Sequence, residues 1–217
     1  MFEQITNFLP SAYFIFEGVI ITLKYSTISV IFGSIIGVIL AILKVSKFKI
    51  LRFIADAYTS IFRGTPLLIQ LSIVYFGFQS LLGVKMSVFA AGIIAFSLNS
   101  GAYVSEVIRA GIQAVDKGQT EAAEALGIPQ VLIMKDIIIP QAVRNIFPSL
   151  INELINLIKE SAMISMLGEM DIMRRAQVVS AETFSYFTPM ITAALAYYIM
   201  VLIISSFAKI LEKKLTI

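Results

Sequence analysis

The sequence predicts an all-α integral membrane protein, and three observations carry that reading. Of its 217 residues, 58% are hydrophobic and only 14% charged, against roughly 25% charged in an ordinary globular domain. The mean hydropathy is +0.89. Several apolar stretches reach the roughly 20 residues that a helix needs to cross a bilayer. They run on without the short alternation of barrel strands, so helices are expected. Composition also removes whole classes of chemistry. With no Cys there is no disulfide or thiolate, and with no His there is no histidine metal site or imidazole base. Residues 1–10 carry Glu3 but no Lys or Arg, so no cleavable signal peptide is expected.

Five spans are expected within a single domain, residues 1–217, over residues 14–43, 54–82, 84–108, 146–167 and 187–211. The first is interrupted only by Glu17 and Lys24 and exceeds the crossing length; Lys24 can snorkel if it lies near an interface. On it Gly33, Gly37 and Ala41 recur four apart along one face. Close helix packing is the plain reading of that row, and a subunit contact is the alternative. The third and fifth spans are the clearest. The second and fourth hold polar residues that a lipid-facing helix avoids, so they are expected to face protein or a water-filled path.

Basic residues set the orientation. Lys44, Lys47, Lys49 and Arg52 follow the first span, Arg109, Lys117, Lys135 and Arg144 follow the third, and Lys209, Lys213 and Lys214 end the chain. The opposite side holds only Lys85, Arg174 and Arg175. Positive charge collects in the cytoplasm, which puts the N-terminus outside and the C-terminus inside. The multi-pass chain is therefore expected in the cell's inner or plasma membrane. The outer connection, Gly168 to Tyr186, carries Glu169, Asp171, Arg174, Arg175 and Glu182; ordinary solvation is preferred there to partner docking.

The cytoplasmic connection over residues 111–144 is too structured for a linker. Thr120 to Leu126 reads as a short helix stopped by Gly127, and Pro129 permits a new helical start. Leu126, Ile128, Val131 and Leu132 give it apolar surface that calls for a cover. Glu121-Ala122-Ala123, then Gly127, then Ile137 and Ile139-Pro140, resembles the EAA loop of ABC importer permeases. Ile139 stands where that pattern favours Leu. More of the chain, over residues 14–211, is similar to the polar amino-acid branch of the family. The match includes Arg63-Gly64-Thr65-Pro66-Leu67-Leu68 with Gln70, Glu106 with Arg109-Ala110-Gly111, and Lys159-Glu160-Ser161.

That resemblance implies the five-helix ABC importer permease (MetI-like) fold. It implies a translocation subunit for polar L-amino acids. The implied partners are two cytoplasmic ABC ATPase subunits, a second permease copy or related permease, and an extracytoplasmic solute-binding protein. It assigns ATPase coupling to Glu121, Ala122, Ala123, Gly127, Ile137 and Pro140. The chain lacks a G-x-x-x-x-G-K-[ST] phosphate loop. ATP and Mg are therefore expected on the partner subunits, with no cofactor, metal, catalytic residue or nucleic acid on this chain.

The polar residues inside the spans are the substrate candidates. Glu153, Asn156 and Glu160 fall three and four apart, on one helical face. Burying an acid at mid-bilayer costs about 2.5–3.5 kcal/mol, so an acid without a structural partner points to a site. Lys159 or Arg63 is the structural alternative for Glu160, and tertiary pairing is the alternative for Glu153. Arg63 and Thr65, at a helix broken by Gly64 and Pro66, could take a substrate carboxylate or simply mark a packing kink. Asn99, Ser100 and Tyr103 suit uncharged contacts, or hydrogen bonds between helices. The two glutamates together would favour a cationic substrate side chain. A self-contained ion-coupled transporter or channel, and a membrane scaffold anchoring a soluble partner, are the alternatives. The first commonly shows an internal repeat, and none is found in this sequence.

Overall fold

In a computed structural model, residues 2–215 are described, without the side chains of residues 2–8, Leu82 and Leu215. Met1, Thr216 and Ile217 of the expected domain lie outside this set. All regular elements among the described residues are helical. They are α1 (Phe2–Lys44), α2 (Lys49–Gly64), α3 (Leu67–Ser72), α4 (Phe78–Leu82), α5 (Val88–Gln113), α6 (Lys117–Ala125), α7 (Gln130–Leu132), α8 (Ile139–Glu160), α9 (Ile172–Thr183) and α10 (Phe187–Leu215). Wide π-turns join α3 to α4 (Ile73–Gly77) and α7 to α8 (Ile133–Ile138), and a 3₁₀ stretch, Ser161–Leu167, continues α8.

The bundle is organised on a glycine seam between α1 and α5. A Cβ on Gly33 would come within 2.7 Å of Ser100 Cβ, and one on Gly37 within 2.5 Å of Val104 Cγ1. On α5, Gly92 lies against Tyr25 and Gly101 against Ile36. Lipid supplies no hydrophobic drive between helices, so this close backbone approach lets dispersion hold them together. The Gly33–Gly37 row is thus spent inside the chain, as the packing reading expected. Residue numbers rise together across the seam, so α1 and α5 run parallel. Along α8 they fall instead: Asn145 Nδ2 donates to Gly111 O (3.4 Å), while Ile164, beyond α8, meets Gly92. α8 is therefore antiparallel to α5.

The expected count of five apolar spans needs correction. Among the described residues, three helices are long and apolar enough to cross a membrane: Leu9–Lys44, Val88–Gln113 and Phe187–Lys214. A fourth is reached only if the pair Lys49–Gly64 and Leu67–Leu81, bent by 104°, counts as one broken span. The expected span 54–82 breaks at Pro66, which has no N–H to continue the helix and holds Thr65 extended (φ −122°, ψ 144°). The expected span 146–167 falls on α8, which starts earlier, carries Arg144, Glu153, Lys159 and Glu160, and tightens into the 3₁₀ stretch at Ser161. The bundle topology still reverses at both places. Parallel α1 and α5 require a return between them, and antiparallel α8 is a further return.

The connection from Gly168 to Tyr186, expected on the outer side, is tied to the bundle by several of its own polar side chains. Asp171 caps α9 by accepting from Arg174 N at 2.8 Å and is fully buried. Its other oxygen accepts from Tyr197 Oη at 3.2 Å. Tyr25 Oη donates to Glu169 at 2.9 Å. Arg175 bonds Phe14 O at 2.9 Å and Glu17 at 2.6 Å. Gly18 lets α1 touch the backbone of Asp171 and Ile172. Burial pushes the Asp171 carboxyl up to about 6, against hydrogen bonds that pull it down.

Candidate functional site

The residues expected to couple to an ATPase form one block built on the ends of α5 and α8. Asp116 starts α6 by accepting from Gly118 N at 2.7 Å. At its other end Gly127 takes the left-handed conformation, φ +73°. Ile128 N then reaches Ala123 O (3.1 Å) and Gly127 N reaches Glu124 O (2.9 Å). That bond pair is the Schellman stop, which satisfies carbonyls a helix end leaves bare. Its usual apolar contact is present, since Ile128 packs beside buried Ala123.

Pro140 has a comparable local effect. A proline in a helix clashes with the carbonyl four residues back, and here the turn before it opens into the π-form. Gln141 Nε2 takes the Ile137 carbonyl at 2.9 Å. Ala123 joins Val115, Ile133, Ile138 and Ala142 in a small core, with Ile137 packed at its edge. Glu121 and Ala122 stay exposed on its surface. So do Leu126 (80%) and Val131 (76%). The six expected coupling residues therefore share one knob, with its own core and an uncovered apolar cap.

The eight substrate candidates do not form one cluster. One group gathers at the α2–α3 break. Gln70 Nε2 lies 2.9 Å from Phe62 O, 3.0 Å from Thr65 O and 2.8 Å from Thr65 Oγ1. Asn99 Nδ2 donates to Phe62 O (3.2 Å) and to Gln70 Oε1 (3.0 Å). Both amides are buried. They satisfy carbonyls that α2 loses on stopping, which commits the Asn99 nitrogen and Thr65 Oγ1 to structure. Arg63 stacks over the half-exposed Tyr103 ring, 5.5 Å from its centroid. It forms no ion pair with Glu160.

The second group lies between α5 and α8. Glu153 is 8% exposed and Ser100 is fully buried with its hydroxyl unpartnered. That hydroxyl lies close to the Glu153 carboxyl without reaching full hydrogen-bond geometry. Glu160, half-buried, adds a second negative charge to the neighbourhood of Glu153 and feels the field of Lys159. No ion pair to either glutamate is present among the described residues. Asn156 turns outward, beside exposed Asn152, so the single face expected for Glu153, Asn156 and Glu160 is split by burial. Tyr103 follows Asn99 by four residues and Ser100 by three, which places it between the two groups on α5.

Sequence reasoning passed over two features. Gln70 was noticed only as part of a motif, though its amide holds the break together. Lys44, counted only among the basic residues that set the orientation, is paired with Glu106 and bonded to Thr59. A Pro followed four residues later by an amide is a local signal for the first. The second had none, because its partners are distant in sequence.

Comparison with known proteins places this architecture. Residues 33–217 match the family model described as binding-protein-dependent transport system inner membrane component. A Rickettsia conorii protein named as a glutamine transport system permease, GlnP, is 69% identical over the full length of both chains. The arginine transport system permease ArtQ of Bacillus subtilis is 53% identical, over 95% of this chain and 94% of that one. Among solved structures, an amino acid ABC transporter crystallised with histidines superposes with a TM-score of 0.91 at 40% identity, covering 99% of this chain and 98% of that one. The methionine transporter MetNI, inward-facing, shares the fold at 21% identity with a TM-score of 0.77, over 95% of this chain and 98% of that one. The chain belongs to the family of binding-protein-dependent transport system inner membrane components.

Proposed function

We propose that this chain is the translocation subunit of an ATP-driven importer for polar amino acids, and that the knob between α5 and α8 is its contact with the ATPase. The observation that carries this reading is the knob itself: a helix stopped by a left-handed glycine, with its own core and an exposed apolar cap. A tether would need none of these. The N-terminus lies outside and the C-terminus in the cytoplasm, where the basic helix ends collect. ATP and Mg belong to two cytoplasmic ATPase subunits, and this chain has no catalytic part in hydrolysis. A second permease, a copy or a relative, completes the pathway, and an extracytoplasmic solute-binding protein delivers the amino acid. Relatives named for glutamine and arginine transport support the substrate class.

Within that class we assign the substrate's cationic side chain to Glu153 and Glu160. They stand about two turns apart on α8, without an ion-pair partner among the described residues. Asn156 and Tyr103 offer the exposed polar contacts, and Arg63 is the cation nearest in character to a carboxylate receptor. The test is a purified complex with its ATPase and binding protein in proteoliposomes. ATP turnover stimulated by a basic amino acid supports the assignment; equal response to neutral ones removes the basic preference. Glu153→Gln is expected to weaken arginine binding about tenfold, as loss of a charged hydrogen bond does, with assembly intact. Unchanged affinity in that variant would remove Glu153 from the site.

A further inference from the structure

The ion pair joining α1 to α5 lies at the end of the bundle where α5 runs into the knob. Lys44 closes α1, and its side chain is only 8% exposed. Its Nζ pairs with Glu106 of α5 and lies 3.0 Å from Thr59 Oγ1 of α2. The other Glu106 oxygen takes Arg109 through Nη2 (2.6 Å) and Nε (3.0 Å), and Arg109 Nη1 continues to Gln113 Oε1 at 3.0 Å. Gln113 is the last residue of α5. Two residues later Val115 enters the core of the knob. A single polar chain thus runs from α2, through the ends of α1 and α5, to the base of the knob.

Stability alone gives a poor reason for this chain. The glycine seam already holds α1 to α5, and a buried ion pair gains little over apolar packing of the same shape. What the pair adds is direction: three helices from separate parts of the sequence are fixed at one point. α2 most needs such a fixture. Much of its surface is exposed, with Ile50, Phe53 and Ile61 uncovered. It reaches the bundle through Thr59, through Tyr58 Oη donating to Leu98 O at 2.8 Å, and through the break itself. The Arg63–Pro66 break stands at its far end.

We propose that Lys44 and Glu106 form a positioning joint that carries displacement of the knob to α2 and so to the helix break on the substrate path. The proposal rests on the knob being the ATPase contact. Neither residue is among the candidate substrate contacts, and both are bonded within the chain, so the expected signature is loss of coupling and not loss of binding. In proteoliposomes holding the complete complex, Lys44→Met is expected to lower amino acid imported per ATP hydrolysed about fivefold, a size usual for residues that modulate coupling. ATP turnover should persist and become less dependent on substrate. Lys44→Arg, which keeps the charge and the donors, should restore the ratio. An unchanged ratio in Lys44→Met overturns the joint. So does a parallel fall of transport, ATP turnover and thermal stability, since that is what a purely structural pair would give. If the unaltered chain itself fails to bind an ATPase, the proposed function fails first, and that result is distinct from either outcome.

Discussion

The knob and the α2–α3 break both end helices inside a packed protein, yet they satisfy the severed backbone in opposite ways. At the knob the rescue is local. Gly127 and Ile128 return their own N–H groups to Glu124 and Ala123, so one short stretch contains the helix, its stop and the groups that need satisfying. At the break the rescue is tertiary. The Phe62 carbonyl accepts from Gln70 and from Asn99, eight and thirty-seven residues away. The first arrangement can move as a unit against the rest of the chain. The second can hold its shape only while α2, α3 and α5 stay together, and a change in their packing must change the break. A force-receiving knob and a substrate-side hinge would need those two properties respectively.

The largest effect should come from the tertiary side. Gln70→Ala removes a buried amide that serves three acceptors and one donor. Unsatisfied buried groups cost about 1–3 kcal/mol each, so a loss near 3 kcal/mol is expected, read as a lower midpoint of thermal unfolding. If the midpoint does not move, the amides are not holding the break and the contrast with the knob disappears.

Gly127→Val should act in the opposite pattern. A left-handed residue with a side chain costs about 1–2 kcal/mol, and β-branching takes it to the upper end. No neighbouring atom lies within 4 Å of a Cβ built there, so the penalty is one of backbone conformation alone. Because the stop is local, unfolding of the bundle should shift little while ATPase association weakens about tenfold. Measured by co-purification, full association with the valine variant would show that the knob does not need its rigid end.

This contrast also explains what could be read from the sequence. The knob was legible: a good helix former, a Gly stop, Pro129 and Pro140 are local signals, and a helix, its stop and an opened turn before Pro140 form at those residues. The break was half legible. Gly64-Thr65-Pro66 announced an interruption and Gln70 follows Pro66 by four, but nothing in the chain tells that Asn99, thirty-seven residues from Phe62, joins in closing it. Asn99 read as a substrate contact or an interhelical hydrogen bond, because its partners on α2 and α3 are invisible before folding. Glu153 and Asn156 read as one face because helical spacing carries no information on which neighbour covers which side. α8 is the same case at a larger scale. Its charges make it fail as an apolar span, and only its antiparallel contact with α5 shows that it runs the length of the bundle. Lys44 was read only for its charge for a related reason, since nothing after an apolar run tells that Glu106 and Thr59 will meet it.

Asp171 combines both modes and supplies the smallest test. Its N-cap bond to Arg174 N is local, and its bond to Tyr197 and its complete burial are tertiary. Burial raises the folded-state value to about 6 from 3.8. Between those values the folded chain binds a proton that the unfolded chain has released. The contribution to stability is complete below the lower value and is lost as pH rises through the upper one. One such group gives a slope no steeper than about 1.4 kcal/mol per pH unit. Asp171→Asn keeps a side chain that caps helices equally well and cannot titrate. Unfolding midpoints of the unaltered complex should therefore fall from pH 4 to pH 6 by more than those of the variant, roughly 2–4 °C for each kcal/mol. If the two profiles are parallel, Asp171 acts through its cap alone, and the outer connection belongs with the knob and not with the break.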